Sequence, residues 1–392
     1  MEYQKYFRED DYDKINEKYF NEIRRSNIVK ADPSGWLDTI AKSYTYIQDI
    51  VFNFKSVQRY YADESLNLKT QKEAMLELIS FWENREYRYD EITFCNSATT
   101  GSLITLDGLK RKGIKNIIFE TPCFFASIEQ AKALKLNVIL YPTFHYEDFV
   151  FDVRKEVIEK YSPCALWLTQ PRMSLGYNQR KSQIADLLKK LSNRDYLIID
   201  EATEQYFPSH LSSFSHIDKA NIIKIRCMFK GTGLNGIRLS FIIHPEELRD
   251  LMVNAMDIYQ GAMDYFSLTI AYNMAQNINK FKTMLEVSNL QTKGLRDKAE
   301  KLISKKNLVI SNLVNGYVGC VIMNMKGLKG THSEKRENFL KYCQKERVPV
   351  ILGSSMLFAF HQNIEFVRLN YYNREHNIIE GLKTFSSFFD RR

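Results

Sequence analysis

Between residues 91 and 243 short apolar runs alternate with helical stretches, and few folds accept that pattern. The runs are EITFCN (91–96), NIIFET (116–121), NVILYP (137–142), CALWLTQ (164–170), DYLIIDEA (195–202), NIIKIRC (221–227) and RLSFII (238–243). Several are apolar at consecutive positions, the mark of strands covered on both faces. Helical patterns over 101–112, 125–134, 153–161 and 183–191 separate most of them, as parallel strands require a crossover. The pattern predicts an α/β chain whose large domain is a three-layer αβα sandwich on a mostly parallel seven-stranded sheet. Helices are expected before it, over 2–26, 36–54 and 68–84, and after it, over 245–306. The runs VGCVIMNM (318–325), VPVIL (348–352) and EFVRLNYY (365–372), with helices near 333–346 and 374–388, read as strands of a smaller α/β domain formed by the two chain ends. The expected limits are 1–50 for the N-terminal arm and part of the small domain, 51–285 for the large domain and 286–392 for the C-terminal small domain.

Composition removes several function classes. The chain has 392 residues, 44% of them apolar, which supports a sizeable core. No apolar run approaches a membrane span, and the start MEYQKYFREDDYDKINEKYF is too polar for a signal peptide. A cytoplasmic location without a membrane partner is therefore expected. The six cysteines are scattered with no C-x-x-C pair and read as reduced thiols. The net charge of +8 comes from bases interleaved with acids, so nucleic acid is not an expected partner. The seven histidines show no H-E-x-x-H spacing, and no metal is expected.

Ligands of open α/β sheets bind at the carboxyl ends of strands, so the residues that follow each run carry the chemistry. Lys230 follows Met228 and Phe229, a poor place for a solvated cation. It is either a lysine that snorkels from a strand end or a desolvated, reactive amine. Gly231, Gly233 and Gly236 spell G-x-G-x-x-G, but a strand follows where a dinucleotide site needs a helix. Those glycines read as a tight turn near a ligand. DYLIID ends in Asp200, a carboxylate that needs a partner: a structural arginine or a cationic ring nitrogen. NSATTGS (96–102) either caps a helix or presents N–H groups and hydroxyls to a phosphate. Phe124, in TPCFF, is either core or an aromatic face over a planar ligand. The order phosphate cradle, aromatic plate, acid and lysine is that expected of a pyridoxal-phosphate site.

On these residues the chain resembles the fold-type I pyridoxal-phosphate enzymes of the class I/II aminotransferase kind, over about residues 30 to 390. FKGTGLNGIR resembles the family's lysine segment, which implies Lys230 as the Schiff-base lysine and Arg238 as a phosphate ligand. IIDEA implies that Asp200 pairs with the pyridinium nitrogen. NSATTGS implies phosphate contacts from Ser97, Ala98, Thr99 and Thr100, and TPCFF implies that Phe124 stacks on the ring. FVRLNYY implies Arg368 as the substrate-carboxylate arginine, and Gly35 sits where the family offers a backbone N–H to the substrate. YYADES implies that Tyr61 reaches the phosphate of a partner subunit, hence a homodimer with shared active sites.

Three positions depart from the family pattern. N-P-x-N-P-T-G reads Gln170, Pro171, Arg172, Met173, Ser174, Leu175, Gly176, so the asparagine that bonds the cofactor's phenolic oxygen is Met173. D-E-A-Y ends in Thr203 instead of tyrosine. The serine or threonine three residues before the lysine is Cys227, which weakens one phosphate contact. Methionine donates no hydrogen bond, and threonine reaches less far than tyrosine. Losing both donors is expected to leave the lysine–cofactor imine more fully protonated at neutral pH unless Gln170, Arg172 or Tyr206 substitutes, and Gln170, Thr203 and Cys227 are kept as cofactor-binding positions. The resemblance implies an aminotransferase acting on amino-acid and keto-acid substrates. The altered segment keeps open a decarboxylation, an elimination or replacement, or a cyclisation at the same site. A non-catalytic regulator is the remaining alternative.

Overall fold

The computed structural model describes residues 21–26, 28–35, 69–83, 85–203, 221–227, 229, 230, 234, 236–303, 307–310, 316–359 and 363–390. Its first half runs α1 (Glu22–Arg25), α2 (Lys69–Glu83), β1 (Ile92–Cys95), α3 (Ala98–Arg111), β2 (Asn116–Thr121), α4 (Phe125–Ala133), β3 (Asn137–Pro142), α5 (Lys155–Tyr161), β4 (Cys164–Thr169) and α6 (Lys181–Lys190). Then come β5 (Tyr196–Glu201), β6 (Ile222–Arg226), β7 (Ser240–Ile243), α7 (Arg249–Tyr259), α8 (Tyr265–Gln276) and α9 (Ile278–Leu302). The chain closes with β8 (Leu308–Ile310), β9 (Val318–Asn324), α10 (His332–Lys345), β10 (Ile364–Asn370) and α11 (Glu375–Asp390).

All seven apolar runs form strands of one sheet, in the order β1-β7-β6-β5-β4-β2-β3. The pairs from β3 through β6 are parallel, and β7 runs antiparallel to both β6 and β1. The described chain between β6 and β7 holds no α-helix, so β7 returns beside β6 in the opposite sense. Alternate side chains divide the core between two faces. Ile198, Ile223, Ile225 and Ile242 pack with α3, α4 and α7 on one side. Leu197, Ile199 and Ile222 face α5 and α6 on the other. That second face also carries four buried charges. Lys224 donates to Glu83 at 2.5 Å, while Arg226 donates to Glu83 and, at 2.7 Å, to Glu201.

The second sheet is antiparallel, in the order β10-β9-β8, and is covered by α10 and α11. Ile23 and Ala31 enter its core, so the described N-terminal segment packs with the C-terminal part of the chain. α9 crosses between the two cores: Phe281 and Leu285 belong to the large one, Leu295 and Ala299 to the small one. The boundary expected at 285/286 falls inside this helix, and the one at 50/51 lies outside the described residues.

One expectation is corrected, and two details are added. VPVIL forms no strand: it runs beside β10 with a single bridge, Leu352 to Val367, because Pro349 lacks the N–H that a ladder needs. The three-residue β8 was not anticipated, since LVI is too short to show a period. The helical stretch 245–306 is three helices, interrupted at Gly261 (φ +69°) and Asn277. None of the described helices is long and apolar enough to cross a membrane.

Candidate active site

The carboxyl ends of β1, β2, β4, β5 and β6 and the start of β7 open on one cavity of about 330 Å3. β9 and β10 close it from the small sheet through Gly316, Val318 and Arg368. The closure depends on backbone contact. A Cβ on Gly316 would stand 2.8 Å from the Cα of Gly176, so only glycine lets the two segments meet there.

Lys230 is half-buried on the wall, with Nζ 6.0 Å from the centre of the Phe124 ring. Burial lowers its pKa; Cys227 and Asp200 oppose the shift, and Arg368 and Arg238 add to it. Phe124 precedes the first turn of α4 and stands against Phe125, ring centres 5.2 Å apart. Asp200, near the end of β5, is 6% exposed and accepts the Ala202 N–H at 3.1 Å. Burial raises its pKa, while that N–H and Lys230 pull it down. Acid and amine are therefore both pushed toward their neutral forms, a state that a cationic partner for Asp200 would reverse.

Elsewhere the wall carries hydrogen-bond donors and a cation. Ser97 caps α3 by accepting the Thr100 N–H at 3.0 Å. The N–H groups of Ala98 and Thr99, next on the wall, meet no acceptor among the described residues. Arg238 is exposed on the same wall and has no ion-pair partner among the described residues. Its backbone N–H donates to Ser267 Oγ at 2.9 Å, and Ser267 N–H is capped by Asp264. Asn96 holds this turn to β1: its side chain bonds Ala262 O and the Asp264 N–H, and its own N–H donates to Gln260.

The cavity thus brings together Ser97, Ala98, Thr99, Phe124, Asp200, Thr203, Cys227, Lys230, Arg238 and Arg368. Three expected residues are not on its wall. The Thr100 hydroxyl pairs with Ser97 Oγ at 2.9 Å. Gln170 is fully buried, its Oε1 accepting the Gln179 N–H at 2.9 Å. The Gly35 N–H donates to Asp32 O at 3.2 Å, and Asn370 and Asn373 hold its carbonyl. Gly35 stays near the site all the same, because the neighbouring Ser34 hydroxyl donates to Arg368 O at 2.7 Å. Tyr61, Tyr206, Gly231 and Gly233 lie outside the described residues.

Arg172 reaches the wall but is already engaged. It donates to Gln179 Oε1 at 2.8 Å and to Thr143 Oγ1 at 3.1 Å, and it lies 3.2 Å from Glu120 Oε2. Burial lifts the Glu120 carboxyl to about 7 against the pull of Arg172. The Glu120–Arg172 pair and the Asn96 clamp escaped the sequence reading because their partners come from distant segments. Among the described residues no group of three or more His, Cys, Asp or Glu stands together as a metal site. A flat cofactor with a phosphate at one end and a basic ring nitrogen at the other fits these residues.

Known proteins share the fold. No family model matches the sequence. The histidinol-phosphate aminotransferase of Buchnera aphidicola subsp. Diuraphis noxia is 22% identical over 212 residues, 53% of this chain and 58% of the relative. That of Oleidesulfovibrio alaskensis is 29% identical over 34% of this chain and 36% of its own length. The chain matches less than two thirds of each of these relatives. The aspartate aminotransferase of Thermus thermophilus with maleate superposes with a TM-score of 0.74 over 95% of both chains, at 16% identity. The aromatic aminotransferase of Pyrococcus horikoshii covers 99% of this chain and 95% of its own, with a TM-score of 0.67 and 17% identity. The chain therefore has the fold of the fold-type I pyridoxal-phosphate enzymes of the class I/II aminotransferase kind.

Proposed function

We propose that this chain is a pyridoxal-phosphate-dependent aminotransferase that moves an amino group between an amino acid and a keto acid. The observation that carries the reading is one cavity holding Lys230 6.0 Å from the Phe124 ring, with buried Asp200 and half-buried Arg368 on its wall. When bound, pyridoxal phosphate supplies an aldehyde that condenses with amines and a ring that takes up the electron pair of a broken Cα–H bond. Ala98, Thr99 and Arg238 would hold its phosphate, Phe124 one face of its ring, and Asp200 the proton on its ring nitrogen. Arg368 binds the α-carboxylate of the substrate through two parallel hydrogen bonds. Lys230 would act at the substrate Cα as general base and acid. The lowered pKa of Lys230 supports that role.

A second copy of the chain is proposed to complete the site through Tyr61, and the cytoplasm is the proposed compartment. Met173 and Thr203 line the cavity where the resemblance expects two donors to the phenolic oxygen. That observation favours, as a second reading, decarboxylation, elimination or replacement, or cyclisation on the same residues.

The test is keto-acid formation from a panel of amino donors, histidinol phosphate included, by wild-type protein and Lys230→Ala. Turnover by the wild type, lost in the variant, supports transamination. Cofactor binding with carbon dioxide or ammonia as product favours the second reading. A Lys230→Ala protein as active as wild type rejects both.

A further inference from the structure

The cavity wall contains a hydroxyl that no described residue uses. Ser240 opens β7, lines the cavity and is 1% exposed, yet its Oγ has no hydrogen-bond partner among the described residues. Burying a hydroxyl in that state is unfavourable unless something arrives to accept from it. The pleat determines which face it occupies, since side chains two apart point the same way. Ile242 packs on Gly101 of α3, where an added Cβ would come within 3.5 Å of Ile242 Cγ1. Ser240 shares that face, one pleat closer to the cavity, on the side of the first turn of α3.

Strand register supplies a second observation. Lys224, Ile225 and Arg226 pair with Ile243, Ile242 and Phe241. The next residue, Cys227, therefore comes opposite Ser240, and its thiol lies 3.7 Å from Leu239 O. Side chains directly opposite in an antiparallel pair are about 5 Å apart at Cβ. Position 227 is where the resemblance expects a hydroxyl for the cofactor phosphate, and a thiol is a weak donor. A hydroxyl is available instead one strand across.

We propose that Ser240 donates a hydrogen bond to the phosphate monoester of the bound cofactor, taking over the contact that Cys227 makes poorly. The assignment rests on the cofactor reading above. Ser240 would then act with the Ala98 and Thr99 N–H groups and Arg238 on one phosphate.

The experiment titrates full-length apo protein with pyridoxal phosphate and with pyridoxal, which lacks the phosphate, and follows the visible absorption of the lysine-bound cofactor. Ser240→Ala should weaken pyridoxal phosphate about tenfold, the loss of one hydrogen bond to a charged acceptor, and leave pyridoxal unchanged. Cys227→Ser in the Ser240→Ala background should recover most of that loss. The apo form of Ser240→Ala should melt no lower than wild type, because the hydroxyl it lacks had no partner. Unchanged pyridoxal-phosphate affinity, or equal weakening of both ligands, overturns the role of Ser240 and leaves the cofactor reading standing. A wild-type protein that shows no visible absorption with either ligand overturns the cofactor reading and Ser240's role with it.

Discussion

Replacing Glu83 by glutamine should destabilise this protein more than the loss of any of its exposed ion pairs. Glu83, Glu201, Lys224 and Arg226 are all 4% exposed or less, and together they carry two negative and two positive charges. Glu83 closes α2 and accepts from both Lys224 and Arg226. At an effective dielectric constant of about 20, unit charges about 3 Å apart attract by about 5–6 kcal/mol. The desolvation of Glu83 offsets part of this. Removing one partner of such a buried set costs about 3–5 kcal/mol, because the remaining cations cannot reach water. Urea unfolding of the apo protein measures the loss. Lys224→Met in the Glu83→Gln background returns the cluster to one charge of each sign and should recover most of it. Burial pushes the Glu83 carboxyl up, but Arg226 and Lys224 outweigh burial and hold it below its ordinary value. A lowered carboxyl contributes stability that is present above its unfolded pKa, about 4.3, and lost as pH falls through the folded value. The gap between wild type and variant should therefore be full near neutrality and shrink on acidification. A single variant within about 1 kcal/mol of wild type, the ceiling for an exposed pair, would refute the reasoning. So would a double variant no better than the single one.

Two further predictions concern the site. Arg368→Lys should reduce kcat/KM for amino donors about ten- to a hundredfold through KM while cofactor absorption stays normal, since lysine cannot reproduce a bidentate pair; unchanged KM would rule out a carboxylate role. Because burial lowers the Lys230 pKa, apo protein should couple to pyridoxal phosphate with a half-maximal pH below the ordinary lysine value of about 10.4. Borohydride trapping and mass analysis of the Lys230 peptide across pH check this, and an ordinary midpoint contradicts it.

Burial on both faces made the large sheet legible, because β2, β4 and β5 each carry several consecutive apolar residues. The residues after those runs could be read for the same reason, since a carboxylate at Asp200 or an amine at Lys230 makes little sense in a core. VPVIL misled because apolar content cannot register the missing N–H of Pro349. Residue type does not reveal that the Thr100 hydroxyl pairs with Ser97 or that Gln170 accepts from the Gln179 N–H.

By itself the amino-acid sequence determined the layer architecture, the strand ends that line the cavity and the departures at Met173, Thr203 and Cys227. These follow from local periodicity and residue type. Only the tertiary structure decided which groups share a partner. It tied Arg172 to Glu120, joined four buried charges beneath β5 and β6, and set an unpartnered Ser240 opposite Cys227. Such pairings depend on strand order and register, which bring distant residues within a few ångströms and leave no periodic trace in the chain.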